Sequence, residues 1–210
     1  MAGKVTLQGR LIAVDGTRGK DTVRAAQALA DELKRRSIRC AVSHWDASGL
    51  FADLALGPDR HISMRALSLV YAADLAFRLR WEIKPVLESG GVVIAASYVD
   101  TAVAFGESTG LAATWLRELL RFVPAADASA RVVERKLDKP WKGRLDRGYA
   151  EYCAAMLSRS TPKASSKAAR KRMIAALDSA RSAQTMSLTP KGIDAFAKTI
   201  TDSRPAAANC

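Results

Sequence analysis

The chain has 210 residues, 49% of them hydrophobic, and a formal net charge of +12. That length and apolar content support one sizeable core and exclude an intrinsically disordered chain. No apolar run approaches the ~18 residues that span a bilayer, and the first ten residues lack the apolar segment of a secretory signal, so neither a membrane protein nor an exported one is expected.

The first element is an apolar run at Arg10–Asp15, suited to a strand buried on both faces. "VDGTRGKDT" follows, from Val14 to Thr22, and leads into an amphipathic pattern over Lys20–Arg36 with Val23, Ala26, Leu29, Ala30 and Leu33 on one side. Ile38–Ser43 reads as a second strand, and Leu50–Leu56 as a short helix ended by Gly57-Pro58. Met64–Leu87 is a long helical pattern with Pro85 near its end, broken by Gly90-Gly91 before a third strand, "VVIAASY". Leu111–Val123 is a further amphipathic helix carrying Trp115, Leu116, Leu119 and Leu120. Strands alternating with helices predict a three-layer α/β domain with a parallel sheet flanked by helices.

After Pro124 the pattern weakens to one short strand around Ala130–Val133, a basic loop ("KPWKGRLDRG") and a helix at Tyr149–Leu157. From Ser158 the composition turns to Ser, Lys, Ala and Arg, as in a linker. Ten Lys/Arg against three Asp from Arg159 onward place +7 of the charge there. The expected division is therefore residues 1–158 as the domain and 159–210 as a basic, flexible tail, with a short helix at 190–201 presenting Ile193, Phe196 and Ile200. Such a tail is either a solvated extension or an electrostatic contact for nucleic acid or other acidic surfaces. Cys40, Cys153 and Cys210 are odd in number and far apart, and His44 and His61 have no neighbour at ligand spacing. No disulfide framework and no structural metal are expected, and a reducing cytoplasm is the expected compartment.

Strand, glycine-rich turn with Gly-Lys, then helix is how a phosphate loop is built: glycines let successive amides turn toward an anion, a lysine reaches the outer phosphates, and a hydroxyl serves magnesium. Gly16, Thr17, Arg18, Gly19, Lys20, Asp21 and Thr22 are the candidate phosphate and ATP contacts. The loop departs from strict G-x-x-x-x-G-K-[ST]. Val14 stands at the first glycine position, Asp21 follows the lysine, and Thr22 comes one residue late. The charge of Asp21 would repel phosphate oxygens unless a metal intervened.

With these features the chain resembles thymidylate kinase, a phosphate-loop nucleoside monophosphate kinase. The likeness is carried by "RLIAVDGTRGKDT" with "AAQALADELKRRSIRCAVS", by "LSLVYAADLAFRLRWEIKPVLESGGVVIAASYVDTAVAF", by "GLAATWLRELLRFVP" and by "DRGYAEY", over roughly residues 9 to 157. It implies phosphate transfer from ATP to dTMP, or another nucleoside monophosphate, with magnesium, and a homodimer formed through helices. It assigns Lys20, Arg144 and Arg147 to catalysis, the last two with Lys142 in a segment placed like the family's lid. It places Tyr71 where the family stacks an aromatic on thymine, Tyr98 after the third strand, and Phe105 near the sugar. Arg78 lies nearly one turn beyond Ala73-Asp74-Leu75, which stands where the family has Ala-Asp-Arg, and is either the substitute for that missing arginine or a solvated cation. Where the family has Asp-Arg-Tyr, this chain has Ala96-Ser97-Tyr98, which removes a metal-linked carboxylate and a phosphate clamp. Asp15 or Asp100 is then the candidate magnesium ligand. The family's last strand is not recognisable. Two readings stay open beside the kinase: a catalytically impaired pseudokinase that binds nucleotide as a regulatory module, and an assembly or nucleic-acid-associated protein using its tail.

Overall fold

The computed structural model describes residues 9–17, 19–45, 62–132, 166–179, 184–186 and 189–202. In chain order these form β1 (Arg10–Asp15), α1 (Gly19–Arg35), β2 (Cys40–His44), α2 (Met64–Arg78), a π-helical turn (Leu79–Ile83) and α3 (Lys84–Glu88). There follow β3 (Val92–Ala96), α4 (Val99–Ser108), α5 (Ala113–Leu119), β4 (Ala128–Val132), α6 (Ser166–Ser179), β5 (Gln184–Met186) and α7 (Pro190–Asp202). The strands make one five-stranded sheet in the order β2-β3-β1-β4-β5, and every neighbouring pair is parallel.

β1 lies at the centre with Ile12 opposite Ile94 of β3 and Ala128 of β4. Its continuous apolar run follows from that position, since a central parallel strand is covered on both sides. Leu11 and Ala13 join a core layer with α2, α4, α5 and α6, while Ile12 and Val14 join the opposite layer with α1 and α7. The expected three-layer α/β architecture is observed.

Local chemistry sets the element ends. α1 closes with Ser37 in the left-handed region (φ 59°) and the Ile38 amide donating back to the Leu33 carbonyl at 2.9 Å, which satisfies an orphan carbonyl of the last turn. Ser63 caps α2 by accepting from the Ala66 amide at 3.2 Å. Pro85 cannot donate to the carbonyl one turn back, and the long helix widens into its π turn just before that residue.

Five departures from the sequence reading matter. Val99–Ser108, read only as the stretch after the third strand, is helix α4, and the Leu111–Val123 helix is confined to Ala113–Leu119. β3 stops at Ala96 rather than running to Tyr98. The unrecognised last strand is β5, pairing Ala130 with Gln184 and Val132 with Met186. The stretch after residue 158, read as a basic extension, also supplies α6, which packs on α4, and α7, which packs on α1. Met173 and Leu177 of α6, and Ile193, Phe196 and Ile200 of α7, are buried in the two core layers, which ties these elements to the sheet. The short helix at Leu50–Leu56, the basic loop and the Tyr149–Leu157 helix lie outside the described residues.

Candidate active site

The carboxyl ends of β1 and β3 meet beneath the N-terminus of α1. Gly16 leaves β1, and α1 opens at Gly19, so the first-turn amides of a 17-residue helix face the loop without intrahelical acceptors. A Cβ on Gly16 would stand 2.9 Å from Thr22 Cγ2, a close approach that only glycine permits without displacing the threonine. The Thr22 hydroxyl donates to the Gly19 carbonyl at 2.9 Å and shares a 3.0 Å hydrogen bond with the Ser97 hydroxyl. Ser97 adopts a left-handed conformation (φ 58°), and its amide donates to the Val14 carbonyl at 2.8 Å. Asp21 is half-buried in the first turn of α1, and Lys20 stands beside it in that turn.

Asp15 ends β1 with its carboxylate turned away from solvent. Oδ1 accepts from the amides of Tyr98 (2.7 Å) and Thr101 (2.9 Å) and from Thr101 Oγ1 (2.5 Å). Tyr98 offers no side-chain cap to α4, so Asp15 supplies that cap from another strand. Thr101 Oγ1 in turn accepts from the Gly16 amide at 3.3 Å, linking the cap to the phosphate loop. Burial raises the Asp15 pKa to about 6; the Thr101 hydroxyl opposes the rise and the nearby Asp100 charge adds to it. Asp100, in the first turn of α4, is also raised by burial, against the pull of Arg117. Asp15 and Asp100 both line a cavity of about 530 Å³ walled by Leu120, Val123 and Pro124.

The residues expected to hold the nucleotide substrate are all interior: Tyr71 is 1%, Arg78 0%, Tyr98 2% and Phe105 1% exposed. Tyr71 Oη lies 3.0 Å and 2.9 Å from the carbonyl oxygens of Ser97 and Tyr98. Tyr98 Oη donates to the Pro124 carbonyl at 2.8 Å, and burial holds both phenols above the ordinary tyrosine range. Arg78 is neither solvated nor turned toward a ligand. Nε donates to Ser43 Oγ (2.8 Å), Nη1 to the Ser97 carbonyl (3.1 Å), and Nη2 to the carbonyls of Ser43 (3.1 Å) and Ala96 (3.3 Å). Asp74 stands 3.7 Å from Nη1, and Ser43 Oγ donates onward to Glu82 Oε2 at 2.6 Å, so two carboxylates balance the buried cation. Arg78 thus ties the ends of β2 and β3, and its donors are consumed in doing so. Neutral Ala96 and Ser97 leave the end of β3 without a charged side chain.

Sequence reasoning passed over Trp45 and Thr101. Trp45 covers Tyr71 with 4.3 Å between ring centroids, a contact between residues 26 positions apart that no local spacing signals. Thr101 carried a signal only in hindsight, as a hydroxyl in the first turn of an unrecognised helix. Arg18, Lys142, Arg144 and Arg147 lie outside the described residues. Among the described residues, no group of three or more His, Cys, Asp or Glu is placed to hold a metal. Magnesium requires fewer, because it takes one or two carboxylates and completes its shell with water and substrate phosphates. The hard oxygen donors Asp21 and Asp100 fit that pattern, whereas Asp15 Oδ1 is already occupied by three donors.

Comparison with known proteins decides the lineage. No protein-family model matches the chain. A protein of Caldivirga maquilingensis named "Probable thymidylate kinase" is 30% identical over 143 residues, covering 66% of this chain and 68% of that protein. The chain belongs to the thymidylate kinase family. The thymidylate kinase of Halothermothrix orenii is 31% identical over 50% of this chain and 53% of its own length. That of an Exiguobacterium species is 26% identical over 47% and 49%. The chain therefore spans about half the length of these two relatives. The thymidylate kinase family is one of nucleoside monophosphate kinases, and the five-stranded phosphate-loop architecture agrees with it. Among the described residues, no helix is long and apolar enough to cross a membrane.

Proposed function

We propose that this chain transfers the terminal phosphate of ATP to dTMP. The observation that carries the reading is the Gly16–Thr22 loop, set between the central strand and the N-terminus of α1 and tied to the end of β3 through Thr22 and Ser97. Phosphoryl transfer asks little covalent work of a protein; positioning and charge neutralisation supply most of the rate. In this reading the loop amides from Gly16 to Thr22 cradle the ATP phosphates and Lys20 neutralises the group in transfer. Arg144 and Arg147 clamp from the lid. Tyr71 and Phe105 form the base and sugar side of the acceptor slot, with Tyr98 beneath it. Asp21 or Asp100 would hold magnesium together with the phosphates, and the ion when bound supplies charge neutralisation between them. A second copy of the chain is the proposed partner for Leu69, Phe77 and Trp81, which stand exposed along the long helix.

The pseudokinase reading is favoured by one observation: Ala96 and Ser97 are uncharged, and Arg78, the cation that reaches their carbonyls, is engaged there and by Ser43. A coupled assay of ADP release from Mg-ATP separates the two, with dTMP, dUMP, dCMP, dGMP and dAMP offered in turn. Turnover that is greatest with dTMP supports the kinase. ATP binding with no turnover on any acceptor supports the binding module.

A further inference from the structure

Trp45 follows directly on β2, and its amide donates to the Ala96 carbonyl at 3.1 Å, which pins it to the carboxyl end of β3. From there the indole turns inward and is only 6% exposed. Its centroid lies 4.3 Å from that of Tyr71 with the planes tilted by 45°, and 5.9 Å from that of Phe105 in an edge-on contact at 67°. In open α/β sheets the crevice outside the carboxyl ends of the strands is where ligands bind. In this chain an indole lies at the carboxyl ends of β2 and β3, packed into the core layer with Tyr71 and Phe105.

An indole is planar, largely apolar and of nucleobase size, and aromatic side chains hold bases by the same stacking forces that hold one another. Tyr71 and Phe105 are anchored from behind: the Tyr71 hydroxyl is bound to the Ser97 and Tyr98 carbonyls, and Phe105 is packed inside α4. Of the three rings, Trp45 alone sits outside a helix, at the end of a strand, where a side-chain rotation moves it without disturbing its backbone hydrogen bond to Ala96.

We infer that Trp45 is an internal stand-in for the nucleobase, closing the acceptor slot until a nucleoside monophosphate displaces it. The inference rests on the proposed reading of Tyr71 and Phe105 as the acceptor side. It adds that the free enzyme is self-plugged on that side only, so acceptor affinity is set by competition with the indole and ATP affinity is not.

The test is calorimetric titration of dTMP and, separately, of ATP into the wild type, Trp45→Ala and Trp45→Leu, each checked for folding by circular dichroism. The expected result is a dTMP affinity at least tenfold tighter in the alanine variant, about 1.4 kcal/mol, an intermediate gain with leucine, and ATP affinity within twofold throughout. Unchanged or weaker dTMP binding in a folded variant overturns the plug while leaving the kinase reading in place. dTMP binding to none of the three, with ATP bound, overturns the acceptor reading and the plug together. Should the alanine variant not fold, leucine carries the titration. A wild-type-like chain with Trp81, Trp115 and Trp141 changed to Phe then reports Trp45 alone. Saturating dTMP should shift its emission to the red as the indole enters water, and an unmoved spectrum at saturation overturns the proposal.

Discussion

The hydroxyls of Thr22 and Ser97 lie 3.0 Å apart, joining the first turn of α1 to the residue that follows β3. This link holds the Gly16–Thr22 loop against the carboxyl end of β3. It requires Ser97 to sit at φ 58°, a conformation that costs a non-glycine residue roughly 1–2 kcal/mol. Replacing Ser97 by glycine removes the strain and the hydroxyl together. A net hydrogen bond is worth about 1 kcal/mol, so the two effects nearly cancel. Ser97→Gly is expected to leave the urea midpoint within a few tenths molar of wild type. Ser97→Val keeps the strain, worsens it by β-branching and loses the hydroxyl; it should destabilise by about 2–3 kcal/mol.

Arg78 offers a sharper test of the structure. Arg78→Met removes the guanidinium that donates to the carbonyls of Ser43, Ala96 and Ser97 and to Ser43 Oγ, and leaves Asp74 without its cation. Breaking a buried pair by removing one partner costs roughly 3–5 kcal/mol. For a chain of this size the melting temperature should fall by about 6 °C or more. Arg78→Lys should recover little, because an ammonium cannot reproduce the planar fork that reaches both strand ends. A shift under about 2 °C in either variant would mean that these contacts are not the ones holding β2 to β3.

Asp15 predicts a pH dependence with a definite sign. Its folded pKa of about 6 lies above the ordinary 3.8, so the folded state holds the proton more tightly than the unfolded one. The stabilisation from this group is therefore fully present below about pH 3.8 and is lost as pH rises through about 6. Two pKa units correspond to about 3 kcal/mol. Asp15→Asn keeps an acceptor for the amides of Tyr98 and Thr101 but cannot ionise. Its stability relative to wild type should rise by about 2–3 kcal/mol between about pH 4 and pH 7, as read from urea melts at each pH. A difference that stays flat or falls across that window contradicts the assignment.

The elements that could be read from sequence are those whose signal is local. β1 is an unbroken apolar run, α1 shows its buried face at helical spacing, and Gly16, Gly19 and Lys20 mark the loop between them. What escaped notice depends on partners far along the chain. α4 contains Val99, Thr101, Val103 and Gly106, a poor helical composition, and is capped by Asp15 from the central strand. β5 is three residues of mixed polarity, aligned only by pairing with β4. In α6 the Ser, Lys, Ala and Arg composition hides Met173 and Leu177, whose burial depends on α4. The contact of the Trp45 indole with both Tyr71 and Phe105 joins residues far apart in the chain and has no local signal. The buried role of Arg78 was hidden because its acceptors are strand-end carbonyls, which carry no sequence signature.

If the Gly16–Thr22 loop acts on ATP for the benefit of dTMP, the identity of the products reveals it. Mg-ATP and dTMP are incubated with the wild type and with folded Lys20→Ala, and dTDP and ADP are followed together by phosphorus NMR. The expected result is dTDP and ADP appearing in equal amounts with the wild type, and a loss of roughly 10²-fold or more in rate with Lys20→Ala. Folded wild-type protein that binds ATP yet forms no dTDP, or forms ADP without any phosphorylated acceptor, would contradict the kinase reading.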